Sequence, residues 1–388
     1  MKKVLVLTPY FIYPIRFGGI IDIYYSIKEF VKSSRFETHL IAFLSKDEQP
    51  EIQHAYDIGI KKVKTFMRNY SILNLLNFEP FHVRSRYSEK TLNEILEYIN
   101  NNDINYILLY STYLGKYAKE IKKHFPNVHI ALRVQNIESN FFNELAKAET
   151  NLVRKIFFYL ESLKFKYNEF NYYKNADEIF SISLIEHSIL EKIQPKITHF
   201  PPFLEKPTAE QIPDELQICQ PTILFAANLS GPSNLFGLNW LIQNVIPIVQ
   251  EAIPNIRLII AGSHPPEEVK NLKAEYIEKI FNYDHIAQIF ARSSIIVAPI
   301  FHGAGVKTRI IEALNYEKII VTTEKGIEGT ALQHLSHLFV ADKPEEFAEY
   351  IIRAINEEAL VAYIKQNIKI YKLEQDNNKL EHIIVKHI

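Results

Sequence analysis

Cysteine is almost absent. The single Cys219 in 388 residues excludes an intrachain disulfide, so nothing points to secretion, and a small packed thiol is its simplest role. An excess of one charge is missing too. With 44 Lys and Arg against 45 Asp and Glu the formal net charge is -1, which argues against a dedicated nucleic-acid binder. No uninterrupted apolar run is long enough to span a bilayer. The opening Met1-Lys2-Lys3-VLVL has the cast of a signal peptide, but Thr8-Pro9-Tyr10 ends its apolar run after one strand's length. Low-complexity tracts, short-period repeats and a disorder-prone composition are lacking as well. The expected location is the cytoplasm, with a peripheral position at the inner face of a membrane left open.

What the chain does have is length and alternation. At 388 residues it exceeds one ordinary core, so two domains are expected. Apolar strands alternate with helical patterns, the order of βαβ units and parallel sheets. Strands are predicted at Val4–Thr8, Thr38–Phe43, Asn105–Ser111, His129–Val134 and Glu178–Ser183. A second set is predicted at Thr222–Asn228, Arg257–Gly262, Ile295–Ile300, Ile319–Thr323 and Leu338–Ala341. Near-continuous runs such as ILFAA and RLIIAG read as strands covered on both faces. A helix over Ile20–Ser33 places Ile20, Tyr24, Ile27 and Val31 at helical spacing. Residues 204–221, rich in proline and without periodicity, form the expected linker between an N-terminal domain, 1–203, and a C-terminal domain, 222–388. From about Pro344 onward the pattern is helical and charged, and whether the last helix crosses back to the first domain is open. The fold class that follows is α/β, with two Rossmann-like doubly wound domains facing across a cleft and ligands at the carboxyl ends of the strands.

Residues 294–314, SIIVAPIFHGAGVKTRIIEAL, concentrate the chemistry. They read as a buried strand, a short loop with two glycines and an amphipathic helix. Lys307 and Arg309 fall in the first turn of that helix and Glu312 one turn later. A strand feeding a glycine-bearing helix N-terminus is a place to hold phosphate. Two cations beside it suit a diphosphate, and a carboxylate on the polar side suits the paired hydroxyls of a ribose. The plainer alternative is an ordinary turn with solvated cations, Arg309 pairing with Glu312 at i,i+3.

Four blocks in the second half stand in an order and spacing that resemble glycosyltransferase family 4, the retaining sugar transferases of the GT-B fold. They are Ile223-LFAANLSGPSNLFGLNWLIQNVIPIV, Pro254-NIRLIIAGSHP, Gly303-AGVKTRIIEAL and Val321-TTEKGIEGT. A weaker likeness in the first half rests on Val4-LVLTPY, Gly18-Gly19 and Leu132-RVQNIES. The resemblance implies that backbone amides of Gly303, Ala304, Gly305 and Val306 hold the donor's diphosphate. Lys307 and Arg309 would then neutralise the departing nucleoside diphosphate, and Glu312 would accept from the ribose hydroxyls. It also implies that Asn228, Ser230 and Asn234 face the phosphates and that Phe281 lies against the nucleobase. Gly18 and Gly19 would approach donor and acceptor, Arg16 an anionic acceptor, and His302 the donor. Each has a plain alternative: turn residues, a core phenylalanine, a surface cation.

Two departures stand out. Many relatives carry a Glu-x7-Glu motif, and counting back eight from Glu312 lands on Ala304. Relatives commonly have His where Gln135 stands; a Gln cannot act as a general base at neutral pH, though it can hydrogen-bond a sugar or the acceptor. The resemblance implies a retaining hexosyltransferase that moves sugar from a UDP-, GDP-, ADP- or TDP-linked donor to a glycan, lipid-linked or protein-linked acceptor. With no Asp-x-Asp run at the site, metal independence is expected, and no cofactor. A GT-B-like nucleotide-sugar epimerase and a non-catalytic nucleotide-sugar-binding subunit are the alternatives. Residues 154–174 mix aromatics with five Lys and Arg and two Glu. Such a helix either lies on a membrane surface or packs on the first domain with its polar side in water.

Overall fold

Each half of the chain builds one parallel sheet from the runs named above. The computed structural model describes residues 2–15, 18–33, 35–204, 207, 220–283, 287–303 and 305–377. Arg16, Ala304, Cys219 and nearly all of the expected linker lie outside the described residues. The chain divides into two compact units, Met1–Phe203 and Leu204–Asn377.

In the first unit the strands are β1 (Lys2–Thr8), β2 (Phe36–Leu44), β3 (Lys62–Met67), β4 (Tyr106–Tyr110), β5 (His129–Val134), β6 (Glu178–Ser181) and β7 (Ile197–His199). They lie in the order β3-β2-β1-β4-β5-β6-β7. In the second they are β8 (Thr222–Asn228), β9 (Arg257–Ser263), β10 (Ile277–Phe281), β11 (Ile295–Ala298), β12 (Ile319–Thr322) and β13 (Phe339–Val340). Their order is β10-β9-β8-β11-β12-β13, and the pairs in both sheets run parallel. These are two doubly wound, Rossmann-like sheets. The strand order reverses between β1 and β4 and again between β8 and β11, and a crevice for ligands opens at the carboxyl ends of such strands.

The continuous apolar runs follow from burial on both faces. Val4 and Val6 of β1 pack with Phe11, Ile23, Ile27 and Leu40 on one side of the sheet. Leu5 and Leu7 pack with Ile107, Leu109, Ile130 and Leu132 on the other. The central strands came out within about two residues of the positions expected from sequence. Three edge strands, β3, β7 and β10, were not expected. Each pairs on one side only and is half-exposed, and β3 carries two Lys and β10 a Glu and a Lys, so no apolar run marks them. Strand β11 stops at Ala298, short of the expected Ile300, because Pro299 has no amide to extend the ladder.

Two charged helices, Pro344–Asn356 and Glu358–Asn377, close the second unit with Phe347, Ile351, Ile364 and Ile368 fully buried. Lys372 Nζ donates to the Asn315 carbonyl at 2.9 Å, holding the last helix to this unit. A return of the chain to the first unit concerns residues from 378 on, outside the described residues. No helix among the described residues is long and apolar enough to cross a membrane.

Candidate functional site

Strands β8 and β11 are neighbours where the second sheet reverses, so the loops that follow them share one sheet edge. Hydroxyls of the chain leaving β12 fix the β11 loop. Thr322 Oγ1 donates to the Ala298 carbonyl at 2.6 Å, the Ile300 amide donates to Thr323 Oγ1 at 3.2 Å, and Thr323 Oγ1 donates back to the Ile300 carbonyl. Gly303 and Gly305 then take φ of 108° and 74°, the left-handed region that glycine alone enters without strain. A Cβ placed on Gly303 would meet nothing within 4 Å, so conformation and not crowding calls for glycine there. From the other side Gly237, in the helix Pro232–Trp240, lies so close that a Cβ would fall 2.1 Å from the Pro299 carbonyl oxygen. Phe301 packs against Trp240 at 4.9 Å, and the exposed His302 sits edge-on to Phe236 at 5.1 Å.

The helix Thr308–Asn315 begins one residue later than expected, so Lys307 is its N-cap and not part of its first turn. The Lys307 ammonium folds back to donate to the carbonyls of Gly305 at 2.5 Å and Gly303 at 3.3 Å, with Glu328 at 3.8 Å. It thus ties the glycine loop to the helix start. Val306 lies between them, half-buried. Ile310, Ile311 and Leu314 are buried as the spacing implied, and Glu312 stays off that stripe.

Arg309 does not follow the plain i,i+3 reading. Its guanidinium donates to Asn234 Oδ1, and Asn234 Nδ2 in turn donates to the Asn228 carbonyl at 2.8 Å. Asn228 Oδ1 accepts from the Ser230 amide at 3.0 Å and hydroxyl at 2.8 Å. Arg309, Asn234, Asn228 and Ser230 therefore form one hydrogen-bonded chain linking the loops after β8 and β11. Burial pulls the Arg309 pKa down to about 10, opposed by the Tyr283 phenol. Burial likewise pushes the Tyr283 phenol up to about 12, with the Glu312 carboxylate adding to the rise. Tyr283 thus shares its surroundings with Arg309 and Glu312. Sequence reasoning missed it and chose Phe281, which ends β10, half-buried, opposite Gly262 of β9. The available signal was Asn282, whose φ of 54° turns the chain just past the strand.

In the first unit Gln135 follows β5. Its Nε2 donates to the Gly19 carbonyl at 3.0 Å and to Asp22 Oδ2 at 3.3 Å, so it is held to the first turns of the helix Gly18–Val31. Among the described residues its Oε1 accepts no hydrogen bond. Behind it lies a buried ion pair, also unforeseen. Arg133 donates from Nε and Nη2 to the two Asp22 oxygens at 2.8 and 2.7 Å, and from its remaining amino group and Nη2 to the carbonyls of Phe200 and Pro201. The Phe203 amide donates to Asp22 at 2.8 Å. Both charges are thereby satisfied at full burial.

A second buried polar group surrounds Glu138, which opens the helix Glu138–Ala148. Burial, and then the neighbouring Glu169, push the Glu138 carboxyl well above the usual carboxylate range. Glu169 is raised by burial as well, while the Ser139 hydroxyl and amide and the Tyr173 hydroxyl donate to it. Nearby Arg86 lies buried between the rings of Tyr10 and Tyr113, 5.1 Å from each, and donates to the carbonyls of Pro9 and His82. His82 bonds Glu161 at 2.9 Å. No group of three or more His, Cys, Asp and Glu able to hold a metal ion occurs among the described residues.

The comparisons with known proteins agree with this architecture. Residues 220–357 match the family described as Glycosyl transferases group 1. The whole chain is similar in fold to the sucrose-phosphate synthase of Thermosynechococcus elongatus, with a TM-score of 0.65 and 13% identity over 100% of this chain and 97% of that one. It is also similar to HepE of Anabaena in complex with UDP-glucose, with a TM-score of 0.59 and 12% identity over 97% of this chain and 95% of that one. In sequence it is 28% identical over 369 residues, 91% of this chain and 90% of the relative, to an uncharacterised 44.6 kDa protein in the cps region of Klebsiella pneumoniae. The fold is the GT-B fold of glycosyltransferases. The match over residues 220–357, to glycosyl transferases of group 1, lies in the second unit of that fold.

Proposed function

We propose that the loops after β8, β10 and β11 hold a nucleoside-diphosphate sugar and that the protein transfers its sugar, with retention and without a metal ion, to a carbohydrate or lipid-linked acceptor. The observation that carries this is the hydrogen-bonded chain from Ser230 through Asn228 and Asn234 to Arg309, set beside Tyr283 and Glu312 where the sheet order reverses. The amides of the 303–306 loop and the cations Lys307 and Arg309 take the diphosphate. Fixed positive charge there stabilises the leaving group as the bond to the anomeric carbon breaks. Glu312 accepts from the ribose hydroxyls, and a base on the β10 side meets Phe281. In the transfer step the acceptor oxygen attacks from the face the diphosphate leaves. The bond from the anomeric carbon to the phosphate oxygen breaks, the new glycosidic bond forms, and the acceptor's proton passes to the departing phosphate oxygen. No protein nucleophile is needed. Gln135 would turn its free Oε1 towards an acceptor hydroxyl. Similarity to a protein of a cps region supports a place in polysaccharide biosynthesis.

Glu312→Ala and Lys307→Ala should each cut sugar transfer at least about 100-fold, the loss of two charge-assisted contacts, without lowering the melting temperature by more than a few degrees. Wild-type turnover in both variants would remove the assignment. An epimerised nucleotide sugar formed with no acceptor present would replace transfer by epimerisation on the same site.

A further inference from the structure

The helix Leu152–Lys174 turns its two carboxylates inwards. Glu161 is buried and accepts from the amides of Phe81 and His82, and Glu169 is buried against Ser139 and Tyr173. The outward face instead carries Leu152, Ile156, Tyr159, Leu160, Leu163 and Tyr167. Their spacing of three and four makes one stripe along the helix. The exposed side is thus apolar along its centre and cationic at its margins, while the inner side packs on the first unit. Exposed Lys155 and Lys166 flank the stripe on one side, and Lys164 lies on the other.

A second segment extends this surface. The short turn Ile72–Leu76 and the residues after it lie beside the helix, where Lys164 Nζ donates to the Leu75 carbonyl at 2.7 Å and Asn168 Nδ2 to the Phe78 carbonyl at 3.1 Å. Residues 69–78, NYSILNLLNF, contain no charged side chain. Phe78 is 91% exposed, Leu76 81%, Ile72 77% and Leu73 74%. Single exposed apolar residues are ordinary, but a continuous patch of this extent marks an interaction site.

We infer that this face, residues 70–78 together with the helix Leu152–Lys174, docks the protein on an anionic lipid bilayer. The charge pattern selects this occupant. Lys155 and Lys166 make no ion pair among the described residues, while Lys164 stands 4.0 Å from the buried Glu161. The nearby acids Glu79 and Glu149 are each paired, with Lys116 and Arg84 and with Arg154 respectively. A helix with an apolar ridge, aromatic anchors at Tyr159 and Tyr167 and flanking lysines suits the headgroup boundary of a negatively charged membrane. An interface with a second copy would set these lysines against the same lysines. The inference is independent of the sugar-transfer reading.

The test is flotation of the full-length protein with phosphatidylcholine vesicles, with and without 30% phosphatidylglycerol at about physiological and then high salt, where screening is strong. Binding should need phosphatidylglycerol and weaken at least tenfold at high salt. Leu76→Ser with Phe78→Ser, and separately Lys155→Gln with Lys166→Gln, should each lower the bound fraction at least tenfold with the melting temperature unchanged, since all four side chains are exposed. Three results would overturn the inference: wild-type protein that does not float with phosphatidylglycerol vesicles, variants that float as well as wild type, or a dimer in sedimentation that the Leu76→Ser and Phe78→Ser pair dissociates.

Discussion

Replacing Arg309 by Met distinguishes a guanidinium held for a ligand from one held for the fold. Burial brings its pKa from 12.5 to about 10. At about 1.4 kcal/mol per pH unit this corresponds to about 3 kcal/mol of lost charge solvation. The side chain keeps some exposure, so the figure is discounted to about 1–2 kcal/mol. Against this stands the bond to Asn234, worth about 1 kcal/mol net because the half-exposed amide can turn to water instead. The two nearly cancel, so Arg309→Met should leave the melting temperature within a few degrees of wild type, or raise it. The nucleotide response should behave differently. Losing two charge-assisted bonds to a diphosphate costs about 3 kcal/mol, about 100-fold in Kd. At a UDP concentration that is 100 times the wild-type Kd, stabilisation of about 2.7 kcal/mol would fall to about 0.4 kcal/mol. Differential scanning fluorimetry with and without the nucleoside diphosphate reads both quantities. A variant that melts far lower yet keeps its nucleotide-induced shift would show that Arg309 serves the packing of the two loops and not a diphosphate.

Gly237→Ala should destabilise the second unit by about 1–3 kcal/mol or more, because its methyl would meet the Pro299 carbonyl at 2.1 Å; an unchanged melting curve would contradict that packing. Gly303→Ala meets open space but must hold φ near 108°, so it should cost about 1–3 kcal/mol of strain and weaken nucleotide-induced stabilisation more than it lowers the melting temperature. Asp22→Asn leaves Arg133 buried without its counter-charge and should cost about 3–5 kcal/mol by chemical denaturation. Glu138 and Glu169 keep protons in the folded chain above the pH, about 4.3, at which unfolded glutamates release them. The folded state then binds more protons, so stability falls as pH rises from that value towards the raised folded ones. Glu138→Gln should flatten this fall in melting temperatures taken from pH 4.5 to 8, and a profile parallel to wild type would count against it.

The sheets were legible because their central strands are buried on both faces, and a run such as ILFAA at 223–227 has few other uses. The edges were not. The strand Lys62–Met67 pairs on one side, and its two lysines erase the apolar signal that its partner Phe36–Leu44 displays. Residues 303–312 were marked by local pattern, since glycines, cations and a helix face can each be counted along the chain. What could not be counted was the bond from Arg309 to Asn234, which spans 75 positions, or the approach of Tyr283 to Glu312 from another strand. The same limit hid Asp22 and Arg133, 111 positions apart. Nothing local to Arg133 in its apolar strand points to the carboxylate that meets it in the core. The composition of the helix Leu152–Lys174 could not show which way its two glutamates point, and both turn inwards to accept from amides and hydroxyls.

Lys307 and Arg309 both donate to neutral oxygens. Lys307 rests on the carbonyls of Gly303 and Gly305, Arg309 on the Asn234 amide oxygen. This is a useful condition for an anion-binding site. A neutral acceptor fixes the direction of a side chain and cancels little of its charge, whereas a carboxylate at contact would cancel most of it. Exchange of a carbonyl for a phosphate oxygen then replaces an ordinary hydrogen bond by a charge-assisted one, roughly twice as strong. At Lys307 a phosphate would also meet Glu328, whose carboxylate stands 3.8 Å from the ammonium. The first unit follows the opposite rule. Arg133 is closed off by both oxygens of Asp22, and so contributes to the fold and not to binding. By this criterion the partner of a buried or half-buried cation, carboxylate or neutral oxygen, separates the charges that hold this protein together from those disposed to meet a substrate.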